Sequence, residues 1–190
     1  MKQLTTDFEA RFRQGDTPWE DPHPWLGLEE LFQRCVPVEA TILDVGCGLG
    51  TNALRLAALG YRVVGIDVSP SAIETAEVRR AAAGVRCDFR VADFLAGGWE
   101  GLDVVFDRGC FHGFADRAGR SGFAATVAAA LRPAGLWIDI SGSSDNGDSR
   151  ERVRDLGLLL SRRSSGPSRG SLAPPRASAR GRGGRPHPER

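Results

Sequence analysis

The stretch ILDVGCGLGTN at residues 42–52 constrains the fold of this chain more than any other part. A short apolar run leads into three closely spaced glycines, and the residues that follow are suited to a helix. Glycine lets the chain turn sharply and lets a ligand come close to the backbone. The stretch therefore predicts a strand, a tight loop and the start of a helix, with a ligand bound at the loop.

The same alternation of strand and helix continues through the central region. Runs rich in valine and isoleucine predict five strands, at 41–45, 62–67, 85–91, 103–107 and 136–141. Helical spacing of apolar residues predicts helices at 25–35, 51–59, 70–82 and 119–131. This order is typical of an α/β fold with a doubly wound, mostly parallel sheet. A length of 190 residues fits one such domain with short appendages.

The spacing of the glycines separates two classes of ligand. Gly46, Gly48 and Gly50 recur at every second residue, whereas the dinucleotide fingerprint G-x-G-x-x-G would need its third glycine at Thr51. Asp44 stands two residues before the first glycine, and its negative charge disfavours a pyrophosphate there. The loop is therefore predicted to bind a ligand that carries a positive charge.

Acidic residues also follow the second and third predicted strands. Asp67 is placed where a carboxylate can accept hydrogen bonds from the two hydroxyls of a ribose. Asp93 and Phe94 suit an adenine, whose amino group would donate to the carboxylate while its ring packs on the phenyl group. Capping of the following helix or turn is the alternative role for both aspartates. Their shared position at successive strand ends favours a ribosyl cofactor.

These residues resemble the first motifs of class I S-adenosylmethionine-dependent methyltransferases, over residues 15–143. The resemblance implies a Rossmann-like sheet with S-adenosylmethionine as cofactor. More narrowly, GDTPWEDPHPWLGLEELF at 15–32 and DVVFDRGCFHGF at 103–114 are similar to the thiopurine S-methyltransferase and tellurite-resistance methyltransferase branch. That likeness implies that an N-terminal segment folds over the cofactor and brings Trp19 near its methionine part. The cofactor-binding residues expected from motifs and resemblance together are Trp19, Asp44, Gly46, Cys47, Gly48, Gly50, Asp67, Val68, Asp93, Phe94, Asp107 and Arg108.

The stretch DRGCFHGF at 107–114 follows the fourth strand and is expected to border the acceptor pocket. His112 and Asp107 are the candidate catalytic residues, because either could take a proton from an amine or hydroxyl acceptor. Packing or capping is the alternative role for His112. Cys110 is not expected to act as a nucleophile, since methyl transfer from a sulfonium needs no covalent enzyme intermediate. The expected reaction is methyl transfer to a small molecule, and the branch resemblance favours a thiol or another chalcogen as acceptor.

Charge and composition divide the chain near residue 160. The whole chain has 25 basic and 24 acidic residues, yet residues 161–190 contain eight arginines and one glutamate. Apolar residues are scarce there and proline, glycine and serine abundant, so this tail is predicted to be disordered. The expected organisation is a helical cap segment at 1–35, a methyltransferase domain at 36–160 and the tail at 161–190.

The C-terminal part departs from the family pattern. Members of the family normally add antiparallel strands after the fifth strand, and these are expected to be missing here, with a short helix at 150–160 instead. Two hypotheses remain open for the tail, a frameshifted reading of a GC-rich gene and a genuine basic segment that binds nucleic acid weakly and non-specifically. Two functional alternatives also remain, a cofactor-binding but inactive truncated methyltransferase and a nicotinamide-dependent oxidoreductase.

Other classes of protein are disfavoured by composition. No apolar run approaches the ~20 residues that span a bilayer, and the N-terminus lacks the pattern of a signal peptide. A cytoplasmic protein without a membrane partner is therefore expected. The four cysteines lie far apart without a C-x-x-C pair, so neither a disulfide framework nor a metal site is predicted.

Overall fold

The computed structural model describes residues 7–20, 27–141 and 157–162. The strands are β1 (Thr41–Val45), β2 (Arg62–Asp67), β3 (Asp88–Val91), β4 (Leu102–Arg108), β5 (Leu131–Ser141) and β6 (Gly157–Arg162). The helices are α1 (Phe8–Gln14), α2 (Leu28–Cys35), α3 (Thr51–Ala58), α4 (Pro70–Ala83) and α5 (Arg117–Ala130). Single turns of 3-10 helix follow β3 at Phe94–Ala96 and β4 at Phe111–Gly113.

All six strands form one sheet in the order β3-β2-β1-β4-β5-β6. The first five are parallel, and β6 is antiparallel to β5. The chain runs outward from β1 to β3 and then crosses back to place β4 on the other side of β1. In such a sheet, ligands bind at the carboxyl ends of the strands where the order reverses. The predicted Rossmann-like, doubly wound α/β fold is confirmed.

The helix ends that face this edge are set by local sequence. Ser69 precedes α4 and its hydroxyl accepts a hydrogen bond from the Ala72 N–H at 3.1 Å, while Pro70 takes the first helical position. By contrast, α3 follows Gly50 directly and has no side chain of its own at the capping position. The two helices that flank the glycine loop therefore begin differently, one capped by serine and the other by glycine.

Two apolar clusters hold the sheet between its helices. On one face, Phe32 of α2 and Leu56 of α3 pack with Phe106 of β4; on the other, Phe123 of α5 packs with Trp137 of β5. Full burial of one large apolar side chain contributes about 1.5–3 kcal/mol, so both faces fix the strand ends firmly. Among the described residues, no helix is both long and apolar enough to cross a membrane.

The structure corrects the prediction for the end of the sheet. Gly157–Arg162 is an antiparallel strand paired with Leu136–Ser141, so one strand that was expected to be missing is present, and residues 157–160 are not helical. Without β6, the outer edge of β5 would expose a row of unpaired N–H and C=O groups. A short leucine-rich run has no period that distinguishes strand from helix, which explains the wrong prediction. The tail beyond residue 162 lies outside the described residues.

Smaller differences concern element bounds. β3 begins at Asp88 rather than at residue 85, and β5 begins at Leu131, which the sequence assigned to the preceding helix. The pairing of β4 with β5 shifts register between Leu102 and Val104, so the early part of β5 is an irregular extension. These shifts leave the carboxyl ends of the strands where the sequence placed them.

Candidate functional site

The glycine loop joins β1 to α3 in a left-handed backbone conformation. Gly46, Gly48 and Gly50 have φ angles of +67°, +53° and +79°. A Cβ at Gly50 would lie 2.6 Å from the ring of Phe89, so only glycine lets the loop pass this close to β3. The Cys47 N–H donates to the Ile66 carbonyl at 2.9 Å, which ties the loop to β2. The loop is thereby fixed at the switch point of the sheet.

Asp67 connects the end of β2 to this loop. Its Oδ2 accepts a hydrogen bond from the Gly48 N–H at 3.0 Å, and its Oδ1 accepts one from the Ser69 N–H at 2.9 Å. Burial raises the pKa of Asp67, against the effect of these hydrogen bonds. Each oxygen retains a second lone pair, so the carboxylate is able to accept further hydrogen bonds from a ligand. Val68, the next residue, is an exposed apolar side chain.

Asp44 is a buried acidic group of β1, two residues before the glycine loop. It is 2% exposed, and its Oδ2 has no hydrogen-bond partner among the residues that the structure describes. Burial, and then the charges of Asp107 and Asp67, raise the pKa of Asp44 to about 8. A buried carboxyl oxygen without a partner destabilises the protein. A positively charged group bound at the loop would supply the missing partner.

Asp93 and Phe94, the two residues predicted to bind an adenine, contact other residues of the protein through their side chains. The Asp93 carboxylate accepts a hydrogen bond from the Leu95 N–H at 2.9 Å and so caps the 3-10 turn after β3. Phe94 is 5% exposed and its ring packs 4.9 Å from that of Phe123 in the core. Beside the loop it is Val68, at 53% exposure, that presents an apolar surface.

Asp107 is wholly buried at the end of β4. Its Oδ1 accepts from the Phe111 N–H at 2.9 Å, and its Oδ2 accepts from Trp137 Nε1 at 3.0 Å. Burial, followed by the charge of Asp139 on the neighbouring strand, raises the pKa of Asp107 to about 7. These contacts fix the turn after β4. A role for Asp107 as a base stays a prediction, and its geometry favours a positioning role.

The turn that Asp107 holds carries the other acceptor-side candidates. Arg108 ends β4 with its side chain partly buried, whereas His112 lies exposed on the 3-10 turn. Gly109 has a φ of +88°, and a Cβ there would lie 3.5 Å from His112 Cε1. Burial raises the pKa of the Cys110 thiol, with further contributions from nearby aspartates, so this thiol is not activated. His112 is therefore the more accessible of the two catalytic candidates.

The N-terminal segment 7–20 lies against the glycine loop. Trp19 packs edge-on against Phe8 and Phe12, with ring centroids 5.6 and 5.5 Å apart. The guanidinium of Arg11 lies 4.4 Å from the centre of the Trp19 ring, so the cation on this aromatic face belongs to the protein. Phe12 Cζ is 3.5 Å from the point that a Cβ on Gly48 would occupy. The predicted contact of Trp19 with the cofactor stays a prediction.

Two glutamates of this segment were not identified from the sequence. The Glu9 carboxylate accepts hydrogen bonds from Ser69 Oγ and from the N–H and Oγ of Ser71, and the Ser69 contact is the main cause that lowers the pKa of Glu9 to about 2. Glu20 Oε2 accepts from Thr51 Oγ1 at 2.7 Å. Neither α3 nor α4 has an acidic residue in its first turn, so the segment supplies the negative charge that helix N-termini favour. The sequence shows that the first turns of α3 and α4 lack an acidic residue. It does not indicate that Glu20 and Glu9 take that place.

Comparisons with known proteins find similarity to methyltransferases. Residues 42–135 match a family model described as a methyltransferase domain. The chain is 38% identical over 101 residues to a ubiquinone biosynthesis O-methyltransferase of Methylobacterium sp. (strain 4-46), covering 52% of this chain and 39% of that protein. It is 31% identical over 124 residues to a 2-heptyl-1-hydroxyquinolin-4(1H)-one methyltransferase of Mycobacteroides abscessus, covering 64% and 54%. The chain thus spans about half the length, or less, of these curated relatives.

Solved structures with similar folds include a protein studied for the conversion of a disulfide bond into a thioacetal group during echinomycin biosynthesis. It is 35% identical, with a TM-score of 0.64, and the match covers 75% of this chain and 60% of that one. A Burkholderia thailandensis 1,6-didemethyltoxoflavin N1-methyltransferase with bound S-adenosylhomocysteine shares the fold, with a TM-score of 0.62 at 22% identity over 82% and 64% of the chains. Residues 42–135 are therefore similar to a methyltransferase domain, and the chain shares its fold with known methyltransferases.

Proposed function

We propose that this chain binds S-adenosylmethionine at its glycine loop and catalyses methyl transfer to a small-molecule acceptor. The observation that carries the proposal is the buried, unpartnered Oδ2 of Asp44 beneath a loop of three left-handed glycines, as seen within the described residues. Such a site favours a cationic ligand and disfavours a pyrophosphate. Bound S-adenosylmethionine supplies an activated methyl group on a positively charged sulfur.

The described residues fit this cofactor. Asp67 has lone pairs left for ribose hydroxyls, and Val68 beside it is an exposed apolar side chain. Asp44 is a buried carboxyl that a bound cation would ionise, and the glycines hold the loop in the left-handed conformation that this site requires. The full set proposed from motifs and resemblance is Trp19, Asp44, Gly46, Cys47, Gly48, Gly50, Asp67, Val68, Asp93, Phe94, Asp107 and Arg108. Of these, the side chains of Trp19, Asp93, Phe94 and Asp107 already contact other parts of the protein.

We further propose that the acceptor atom is a thiol or another chalcogen, as in the thiopurine and tellurite-resistance branch. The acceptor side offers an exposed His112, while both oxygens of Asp107 already accept hydrogen bonds. A thiol, which ionises near neutral pH, needs less help from a base than a hydroxyl does. Among the similar proteins, the echinomycin structure concerns sulfur and supports a thiol acceptor, whereas the ubiquinone biosynthesis relatives are O-methyltransferases. His112 is the proposed proton acceptor.

Calorimetric titration with S-adenosylhomocysteine and with a nicotinamide dinucleotide tests the cofactor class. We expect micromolar binding of S-adenosylhomocysteine and none of the dinucleotide. Asp67→Asn, which keeps the size of the side chain, should weaken binding about 10- to 100-fold through loss of charged hydrogen bonds. Methyl transfer from S-adenosylmethionine is then measured against a panel of thiols, selenols and phenols.

Each other outcome has a distinct meaning. Binding without transfer to any acceptor would identify an inactive cofactor-binding protein. Binding of the dinucleotide in place of S-adenosylhomocysteine would support the alternative hypothesis of a nicotinamide-dependent oxidoreductase. A folded chain, as judged by circular dichroism, that binds neither ligand would contradict the proposed function.

A further inference from the structure

The carboxylate of Glu20 lies over the middle glycine of the loop. Its Oε1 is 3.3 Å from the point that a Cβ on Gly48 would occupy. Its Oε2 accepts a hydrogen bond from Thr51 Oγ1 at 2.7 Å and lies 3.5 Å from Arg79 Nη1. Oε1 accepts no hydrogen bond from any part of the chain that the structure describes. One oxygen of Glu20 is thus directed at the loop and is available to a ligand.

Three carboxylates surround this part of the backbone. Asp67 holds the Gly48 N–H, Asp44 is buried with an oxygen that has no partner in the described part of the chain, and Glu20 is close enough to add to the electrostatic rise in the Asp44 pKa. Nearby carboxylates disfavour each other's ionisation, and a cation placed among them relieves this effect. The arrangement therefore favours a ligand with a fixed positive charge near Gly48.

The two glutamates of segment 7–20 differ in what they leave open. Glu9 is engaged through both oxygens, with Ser69 and Ser71 at the start of α4 and with Arg13 on its own helix. Glu20 uses one oxygen within the protein and leaves the other over the loop. Glu9 thus anchors the segment, while Glu20 is positioned to contact what the loop binds.

We propose that Glu20 is a cofactor-binding residue, whose free oxygen receives the α-ammonium group of S-adenosylmethionine. The inference rests on the proposed function and extends it to a residue of the N-terminal segment. The α-ammonium group is present in both cofactor and product, whereas the sulfonium charge is lost on methyl transfer. Glu20 thereby links the position of segment 7–20 to the amino-acid end of the bound cofactor.

Binding measurements with two ligands and one isosteric variant distinguish a direct contact between Glu20 and the α-ammonium group from a packing role of Glu20. The dissociation constants of S-adenosylhomocysteine and of its analogue without the α-amino group are measured for the wild-type chain and for Glu20→Gln. We expect Glu20→Gln to bind S-adenosylhomocysteine about 10-fold more weakly, as for loss of one charge-assisted hydrogen bond. The analogue should bind the wild-type chain about 10-fold more weakly than S-adenosylhomocysteine and should bind both proteins equally.

Glu30→Gln is the matched control, because Glu30 is an exposed glutamate on α2 whose ion pair is with Arg34. It should bind both ligands as the wild-type chain does. Equal weakening of both ligands by Glu20→Gln, with a native circular dichroism spectrum, would show that Glu20 only holds the segment. Unchanged S-adenosylhomocysteine binding by Glu20→Gln would also overturn the inference. A wild-type chain that does not bind S-adenosylhomocysteine would instead overturn the proposed function itself.

Discussion

The two halves of the carboxyl edge use buried aspartates in opposite ways. On the cofactor side, Asp67 accepts only backbone N–H groups and Asp44 keeps an oxygen without a partner in the described residues. On the acceptor side, both oxygens of Asp107 accept donors from the protein, one of them the indole of Trp137. The aspartates of the first half are able to interact with a ligand, whereas the aspartate of the second half stabilises a turn of the protein.

This difference distinguishes carboxylates that contact a ligand directly from a carboxylate that positions the backbone around it. A carboxylate with free lone pairs near a loop is suited to direct contact with a ligand. Asp107, which is hydrogen-bonded to the Phe111 N–H, the Trp137 indole and the Asp139 side chain, acts on a ligand through the backbone that it fixes, here residues 108–113. Substitutions in the two halves should therefore differ in whether they change ligand affinity, protein stability or the pH dependence of stability.

The largest expected effect concerns the loop itself. Gly50→Ala would force a Cβ to within 2.6 Å of Phe89 at a φ of +79°, so the free energy of unfolding should fall by about 3 kcal/mol. Gly84→Ala is the matched control, because Gly84 has a φ of +67° but no described atom lies within 4 Å of the point that its Cβ would occupy. It should lose about 1 kcal/mol. Chemical denaturation measures both, and equal losses would contradict a loop held by close contact.

A smaller effect tests the positioning role on the acceptor side. Trp137→Phe removes the donor to Asp107 Oδ2, which should destabilise the chain by about 2 kcal/mol at pH 8 and by about 1 kcal/mol less at pH 5. The sign follows from the pKa of Asp107, about 7. The buried pair of Asp107 and Asp139 holds more protons at pH 5 than at pH 8, and the indole N–H stabilises the ionised form of Asp107.

Trp99→Phe is the control for that comparison. The Trp99 indole N–H is buried and has no hydrogen-bond partner among the described residues, so its removal deletes no hydrogen bond. Its effect on the free energy of unfolding should be the same at both pH values. A Trp137→Phe effect that is independent of pH would show that Trp137 acts through packing alone.

The cofactor half was largely predictable from the sequence because its determinants are local. The bounds of β1 and β2 were predicted at 41–45 and 62–67, where the structure has them, since short buried parallel strands read as apolar runs. The glycine spacing and Asp67 follow these strands directly. Because β1 and β2 are neighbouring parallel strands, the glycine loop and Asp67 lie at the same edge of the sheet.

The remainder depends on contacts between distant residues. Glu20 meets Thr51 across 31 positions and Glu9 meets Ser69 across 60, and no local pattern indicates such pairs. The burial of Asp107 follows from packing against Trp137, 30 residues away. β6 was missed because its stability comes from pairing with β5 and its sequence has no diagnostic period.

The central claim is that the buried carboxyl of Asp44 interacts with a positively charged group of the ligand. The most direct test is to count the protons released when the ligand binds. Asp44 has a pKa of about 8, so it is mainly protonated at pH 7, and a nearby cation lowers that pKa. Titration with S-adenosylhomocysteine at pH 7, in buffers of different ionisation enthalpy, should therefore show net proton release. The release should disappear in Asp44→Asn. Wild-type binding without proton release, or release that persists in Asp44→Asn, would contradict the account.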